Sequence, residues 1–134
     1  MNLTSNKFNI RIYYFDEPSE ANNLGGIYRI FLNENQSRQK VLQDFAHELG
    51  HILRHEGHQQ AMFEQFRIYQ EWQAKQFAYH FCIPTFLLNE LELPQLRCEA
   101  VWVIAKTFNV ELTFAAERLE KWFQNRRDNL TVTY

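Results

Sequence analysis

Glycine, proline and cysteine are scarce in this sequence, whose 134 residues include four glycines, three prolines and two cysteines. The shortage of glycine and proline argues against a disordered or low-complexity chain. The two cysteines, Cys82 and Cys98, form no CxxC motif and are too few for a disulfide framework, which favours reduced thiols in a cytoplasmic protein. The sequence also lacks an apolar leader and any run approaching about 18 apolar residues, so we expect no contact with a membrane.

An excess of positive charge is likewise absent. The formal net charge is -2, and the pair Arg126-Arg127 is too short a basic cluster to attract nucleic acid. We therefore expect no direct nucleic-acid partner. Apolar residues are plentiful by contrast, at 46% of the chain, and 16% of all residues are aromatic. This composition predicts a single domain over residues 1–134 with an aromatic-rich core.

Two segments have the composition of β-strands. Residues Phe8–Phe15 (FNIRIYYF) are rich in β-branched and aromatic side chains and end at a turn that begins with Asp16. A second segment of this kind, Ile27–Leu32, follows Gly25-Gly26. We expect these strands to form a small antiparallel sheet packed on a helical body, which is an α+β fold.

The segment after Ser37 has the spacing of an amphipathic helix. Ser37 is a suitable N-cap and Gly57 a suitable stop. Between them, apolar residues recur at intervals of three and four, as on one buried helical face: Val41, Leu42, Phe45, Leu49, Ile52 and Leu53. Three further helices are predicted later in the chain, with a short connection after the first of them: Ala61–Cys82, Gln95–Thr107 and Thr113–Gln124.

The helix predicted after Ser37 contains the HExxH motif His47-Glu48-Leu49-Gly50-His51. Residues four positions apart lie about one helical turn apart, so both imidazoles can bind one ion. Glu48, about 100° around the helix, can then reach a water molecule beside the ion. HExxH within a helix is typical of zinc-dependent hydrolases, whereas the same letters outside a helix carry little weight. We therefore expect His47 and His51 to bind zinc and Glu48 to be the catalytic general base.

A catalytic zinc site needs a third protein ligand, and Glu71 is our choice. On the second predicted helix, Glu71 shares one face with Ala74 and Ala78, whose small side chains allow another helix to approach closely. Gly50 removes side-chain bulk from the HExxH helix in the same way. The other candidates lie at the end of that helix or in the segment that follows it: His55, His58 and Glu64.

These residues resemble the ImmA/IrrE family of intracellular metallopeptidases. In that family HELGH is typically followed by a segment of the form ExxAxxFA and by a short apolar run that ends in proline. This chain has EWQAKQFA at residues 71–78 and FCIP at residues 81–84. The resemblance covers most of the chain, and it departs from the family pattern at Gln73 and Lys75, where acidic residues and Asn are frequent.

The resemblance implies a zinc centre formed by His47, His51 and Glu71, with Glu48 as the catalytic carboxylate. It also implies a zincin-like fold, in which the HExxH helix is followed by a helix that carries the glutamate. The activity that it implies is site-specific cleavage of a DNA-binding repressor. We therefore expect a cytoplasmic zinc metallo-endopeptidase whose protein substrate is a helix-turn-helix repressor.

Two other functions are compatible with the sequence. The chain could be a zinc-binding regulatory partner of a repressor with little turnover. Residues 95–124 could form a helix-turn-helix that binds DNA, although Glu111, Glu117 and Glu120 make its second helix acidic.

For a peptidase, the strand Ile27–Leu32 is the candidate edge along which an extended substrate would lie.

Overall fold

The computed structural model describes residues 9–54 and 63–132. Over these residues the predicted α+β class is confirmed, with three strands and five helices. Within the same residues, no helix combines the length and the apolar character needed to cross a membrane. The elements in chain order are β1 (Ile10–Phe15), β2 (Glu20–Leu24), β3 (Ile27–Asn33), α1 (Arg38–Arg54), α2 (Glu64–Cys82), α3 (Thr85–Glu90), α4 (Arg97–Phe108) and α5 (Leu112–Val132).

A tight turn between β2 and β3 shapes the sheet. Its two central residues, Gly25 and Gly26, both have positive φ angles, 60° and 86°, which glycine adopts without steric penalty. The turn makes β2 and β3 antiparallel, while β1 pairs with β3 in parallel. The sheet is therefore mixed, and not antiparallel throughout as predicted. The sequence analysis missed β2, which lies between β1 and β3 in the chain and allows these two strands to run parallel.

The order of strands in the sheet is β1–β3–β2, so β3 is the central strand. It is hydrogen-bonded to β1 on one side and to β2 on the other. The expectation that Ile27–Leu32 offers a free edge to a substrate is therefore wrong. Among the described residues, the edges of this sheet belong to β1 and β2.

The core beside the sheet is formed by alternate residues of the strands and by one face of α1. Ile30 and Leu32 are buried, as are Leu49 and Ile52 of α1, and they belong to one apolar cluster. A strand repeats every two residues and a helix about every 3.6, so each element brings its own apolar stripe to this cluster. Of the six apolar residues whose spacing predicted α1, four belong to this cluster or pack against it, whereas Leu42 and Leu53 are exposed.

The ends of α1 and α2 agree with their predicted signals where the structure describes them. Ser37 caps α1, since its Oγ accepts a hydrogen bond from the backbone N–H of Lys40 at 3.1 Å. Helix α2 ends at Cys82, two residues before Pro84. Gly57 and Ala61, the predicted end of the first helix and start of the second, lie outside the described residues.

The chain divides into two compact units, Met1–Ala78 and Tyr79–Tyr134. The division falls within α2. The first unit contains the sheet, α1 and most of α2, and the second contains α3, α4 and α5. A single domain over residues 1–134 stays a prediction.

The second unit contains one helix that the sequence did not predict. The segment read as a connection forms α3, which buries Leu88 completely. Helix α4 ends at Phe108, and the left-handed φ of 54° at its C-cap, Asn109, lets the next backbone N–H, that of Val110, donate to the Ala105 carbonyl at 3.1 Å. Arg118 of α5 is fully buried and donates hydrogen bonds to the Ile83 carbonyl at 3.0 Å and to Thr85 Oγ1 at 2.8 Å.

Candidate metal centre

The two histidines of the HExxH motif present the same ring atom to each other. Their Nε2 atoms are 3.2 Å apart, and the rings meet edge to face. This contact follows from the four-residue spacing, which stacks both side chains on one face of α1. The side chains of His47 and His51 are 28% and 14% exposed, so the pair is accessible from solvent through His47.

Glu71 approaches both imidazoles from α2. Its Oε2 lies 3.0 Å from His47 Nε2, and its Oε1 lies 3.1 Å from His51 Nε2. The side chain remains 48% exposed. The structure therefore brings together the three residues predicted as metal ligands, two from α1 and one from α2.

Small residues allow α1 and α2 to come this close. Ala74 and Ala78 of α2 are buried, and Gly50 of α1 faces Ala74 without a side chain. A Cβ atom at Gly50 would lie 3.2 Å from the Cα and the carbonyl oxygen of Ala74, and 3.0 Å from Phe77 Cδ1. These separations are shorter than ordinary contacts, so a side chain at this position would require α2 or the Phe77 ring to shift by a few tenths of an ångström.

The spacing of the donor atoms is close to that around a tetrahedral zinc ion. Zinc bonds of about 2.0–2.1 Å at tetrahedral angles place neighbouring ligand atoms about 3.3 Å apart. The two Nε2 atoms are 3.2 Å apart, and each lies 3.0 or 3.1 Å from a different carboxylate oxygen of Glu71. With one donor atom from each residue, the three atoms lie within 4.8 Å of one another. Two imidazole nitrogens and one carboxylate oxygen are also a donor set of catalytic zinc sites, which keep a fourth position open. The described residues thus contain a group of side chains able to hold a metal ion.

Glu48 is buried beside this group, with 9% of its surface exposed. Burial, followed by the negative charges of Glu71, Asp44 and Glu20, raises the pKa of Glu48 to about 8. In the metal-free chain the Glu48 carboxyl group therefore holds its proton to a higher pH than an ordinary glutamate does. The catalytic role of Glu48 stays a prediction.

The alternative third ligands do not join the group within the described residues. The side chain of Glu64 is 74% exposed and lies 3.9 Å from the Arg67 guanidinium. His55 and His58 lie outside the described residues. Glu71 is therefore the predicted candidate that the structure places beside the two histidines.

The helix pair α4 and α5, the candidate for DNA binding, uses several charged side chains for contacts inside the second unit. Glu117 accepts a hydrogen bond from the Tyr79 hydroxyl. Glu120 pairs with Arg97 across the two helices. Such contacts, together with the burial of Arg118, are those of packed helices.

Sequence reasoning missed a carboxylate one turn before the HExxH motif, Asp44 of α1. It accepts hydrogen bonds from Ser19 Oγ at 3.1 Å, from Gln36 Nε2 at 2.9 Å and from Lys40 Nζ at 2.8 Å. Helical spacing could have predicted only the contact with Lys40, four residues earlier. Ser19 is 25 positions away, and no local pattern announces a contact of that separation.

A small sheet, a helix that carries HExxH and a second helix that presents a glutamate define the class of HExxH metallopeptidases. Comparison with known proteins agrees with this class. Residues 2–120 match the family Peptidase_M78, IrrE N-terminal-like domain, and the chain therefore belongs to this family of metallopeptidases. The resemblance to ImmA/IrrE proteins is thereby confirmed.

Two relatives come from Bacillus subtilis (strain 168). The phage-like element PBSX protein XkdA is 44% identical to this chain over 118 residues, which are 88% of this chain and 59% of XkdA. The uncharacterized protein YqaB is 39% identical over 127 residues, which are 92% of this chain and 74% of YqaB. The chain thus spans less than two thirds of the length of XkdA.

Proposed function

We propose that this chain is a zinc-dependent endopeptidase that makes a site-specific cut in a helix-turn-helix repressor. The observation that carries the proposal is the meeting of His47, His51 and Glu71 at one point. Membership of a metallopeptidase family supports it. In this proposal the three residues hold the ion, and Glu48 carries the proton.

In the proposed peptide hydrolysis, the ion and the protein have different roles. Zinc, when bound, supplies a Lewis acid that lowers the pKa of water and polarises a carbonyl group. His47 and His51 would hold the ion through Nε2, the atom that each presents toward Glu71, and Nδ1 would then carry the ring proton. A carboxylate oxygen of Glu48 takes a proton from the attacking water and returns it to the nitrogen of the leaving amine. These two transfers accompany the hydrolysis of a peptide bond.

The choice of substrate depends on similarity. A peptidase acts on a protein or peptide, and the resemblance to ImmA/IrrE proteins implies a DNA-binding repressor. One relative is named as a protein of a phage-like element, and a repressor from such an element is the substrate that we propose. We expect the reaction to take place in the cytoplasm, because the two free thiols, Cys82 and Cys98, suit a reducing compartment.

The Glu48→Gln variant tests this function. The purified chain should contain about one zinc per molecule, and Glu48→Gln should keep the metal but lose cleavage, because an amide cannot accept the proton of water. Metal analysis measures the first property. Mass spectrometry of a helix-turn-helix repressor encoded beside the gene measures the second. Glu64→Gln, an exposed change at the start of α2, serves as the matched control and should alter neither property. Cleavage by Glu48→Gln at the normal rate contradicts the mechanism.

Two further measurements separate the alternative functions. A zinc-binding regulatory partner would hold the metal and bind the repressor, yet the wild-type chain would yield no product even with zinc in excess. A DNA-binding module at residues 95–124 would instead shift duplex DNA in a gel, and the shift would weaken steeply with salt.

A further inference from the structure

We infer that Asp44 is a positioning residue, which fixes helix α1 against the ends of β2 and β3 and thereby holds the HExxH side chains in place. The inference rests on the proposed function, in which α1 supplies two metal ligands and the general base. Asp44 itself is neither a ligand nor a catalytic group, and it acts through the helix that it anchors.

Three donors from separate segments converge on the Asp44 carboxylate. Ser19 lies just before β2, Gln36 lies in the connection between β3 and α1, and Lys40 lies in the first turn of α1. Oδ2 accepts hydrogen bonds from Ser19 Oγ and Gln36 Nε2, and Oδ1 accepts one from Lys40 Nζ. The Asp44 side chain is only 17% exposed, so these bonds replace most of its contact with water.

Two of these donors connect Asp44 to the last residue of β3. The Ser19 hydroxyl accepts a hydrogen bond from the backbone N–H of Asn33 at 3.1 Å. The Gln36 side chain donates a second hydrogen bond, to the Asn33 carbonyl oxygen, also at 3.1 Å. The carboxylate is therefore linked to the end of the central strand by two routes, which together form a polar cluster at the start of α1.

The polar cluster supplies a restraint that the apolar core cannot. Leu49 and Ile52 hold α1 on the sheet through apolar contacts, which have no preferred direction. Hydrogen bonds depend on angle as well as distance, so those to Asp44 specify the axial position of α1. His47 and Glu48 lie between these two anchoring points, and a catalytic constellation has to be held to within about 0.5 Å.

The chemistry of the three partners explains why this residue is a carboxylate. Every partner donates, so the site needs two oxygens that only accept. Asparagine has nearly the same shape, but its amide N–H₂ would face a donor whichever way the group is turned. Asp44→Asn therefore breaks part of the polar cluster without leaving a cavity.

Cobalt provides a spectroscopic test of this inference. We expect Co²⁺ to bind Asp44→Asn on the order of tenfold more weakly than it binds the wild-type chain, with altered visible absorption bands, because the ligands are less well placed. The control for lost stability is Ile10→Val, which trims a buried β1 side chain outside the polar cluster and should keep the wild-type spectrum. The control for the lost charge is Asp16→Asn, which removes the same charge from an exposed residue outside the polar cluster and should also keep the wild-type spectrum.

Hydrogen exchange of the metal-free chain provides a second readout. Amides of α1 should exchange faster in Asp44→Asn than in Ile10→Val at equal overall stability. An unchanged cobalt spectrum together with unchanged exchange in Asp44→Asn overturns the inference. If the wild-type chain binds no cobalt while α1 still exchanges faster in Asp44→Asn, the proposed metal centre is wrong and the positioning role stands.

Discussion

Cys82 and Cys98 show how the surroundings of one side chain alter its chemistry. Cys82 lies at the end of α2 and is partly buried, whereas Cys98 is exposed in the first turn of α4. Burial raises the pKa of the Cys82 thiol to about 11, because a thiolate is poorly solvated there. Since the thiolate is the reactive form, the two residues should differ in reactivity even though both are free.

Alkylation at pH 8 measures this difference. We expect iodoacetamide to modify Cys82 about a hundredfold more slowly than a thiol of ordinary pKa, and the rate to rise as the pH approaches the pKa of Cys82. Peptide mass spectrometry over time follows each site, with Cys98 as the internal reference. In guanidinium chloride the two rates should converge. Equal rates in the folded chain contradict the assigned burial.

At the scale of elements, the crossing of α1 and α2 depends on Gly50. Adding a methyl group there favours the helix by about 0.5–1 kcal/mol, but the new contacts with α2 oppose this gain by about 1–3 kcal/mol. We therefore expect Gly50→Ala to lower stability slightly and to weaken zinc binding by on the order of tenfold, because α2 carries Glu71 away from the histidines. Competition with a chromogenic chelator measures the affinity.

Leu42→Ala is the matched control for Gly50→Ala. It alters a half-exposed residue on the same helix without adding a contact to the crossing. Its zinc affinity should equal that of the wild-type chain. Full zinc affinity in Gly50→Ala shows that the separation of the helices does not determine the site.

The helices were easier to predict from the sequence than the sheet. The spacing of the apolar residues and the N-cap signal together predicted α1, and Ser37 caps the helix as expected. The strand β2 has the sequence EANNL, which lacks the β-branched and aromatic residues by which strands are recognised. The pair Gly25-Gly26 is nevertheless a hairpin signal, and it implies a strand on both sides. Without β2, neither the mixed sheet nor the central place of β3 can be deduced. Helix α3 was missed because six residues show too little periodicity.

In the candidate site, too, some residues could be predicted from local spacing and others could not. His47 and His51 are four residues apart, so helix geometry alone brings them together. Glu71 is 24 positions beyond His47, and only the small face of Ala74 and Ala78 indicated that its helix packs against α1. Asp44 could not be predicted, because Ser19 meets it through the fold of the sheet rather than through any repeat in the sequence.

At the scale of the whole molecule, the three proposed ligands all belong to the unit Met1–Ala78. A ligand that binds only the folded state stabilises it by mass action, by about 2.7 kcal/mol at a free concentration of one hundred times Kd. We therefore expect zinc to raise the free energy of unfolding by this amount and a chelator to remove the gain. Hydrogen exchange should locate the added protection in the first unit.

Two variants check the origin of this stabilisation. His51→Ala removes one donor atom and should abolish the effect of zinc, whereas Glu64→Gln should retain it. Zinc that protects α4 and α5 instead of α1 and α2 contradicts the proposed location of the centre.

The short chain distance between the proposed ligands also has a consequence during synthesis. His47 and Glu71 are separated by only 24 positions, and the first unit ends at Ala78. Closing so short a loop costs little conformational entropy, and contacts between residues close in sequence form quickly. Every residue of the proposed centre is synthesised before α4 and α5, so a nascent chain can begin to assemble the site before the second unit is complete.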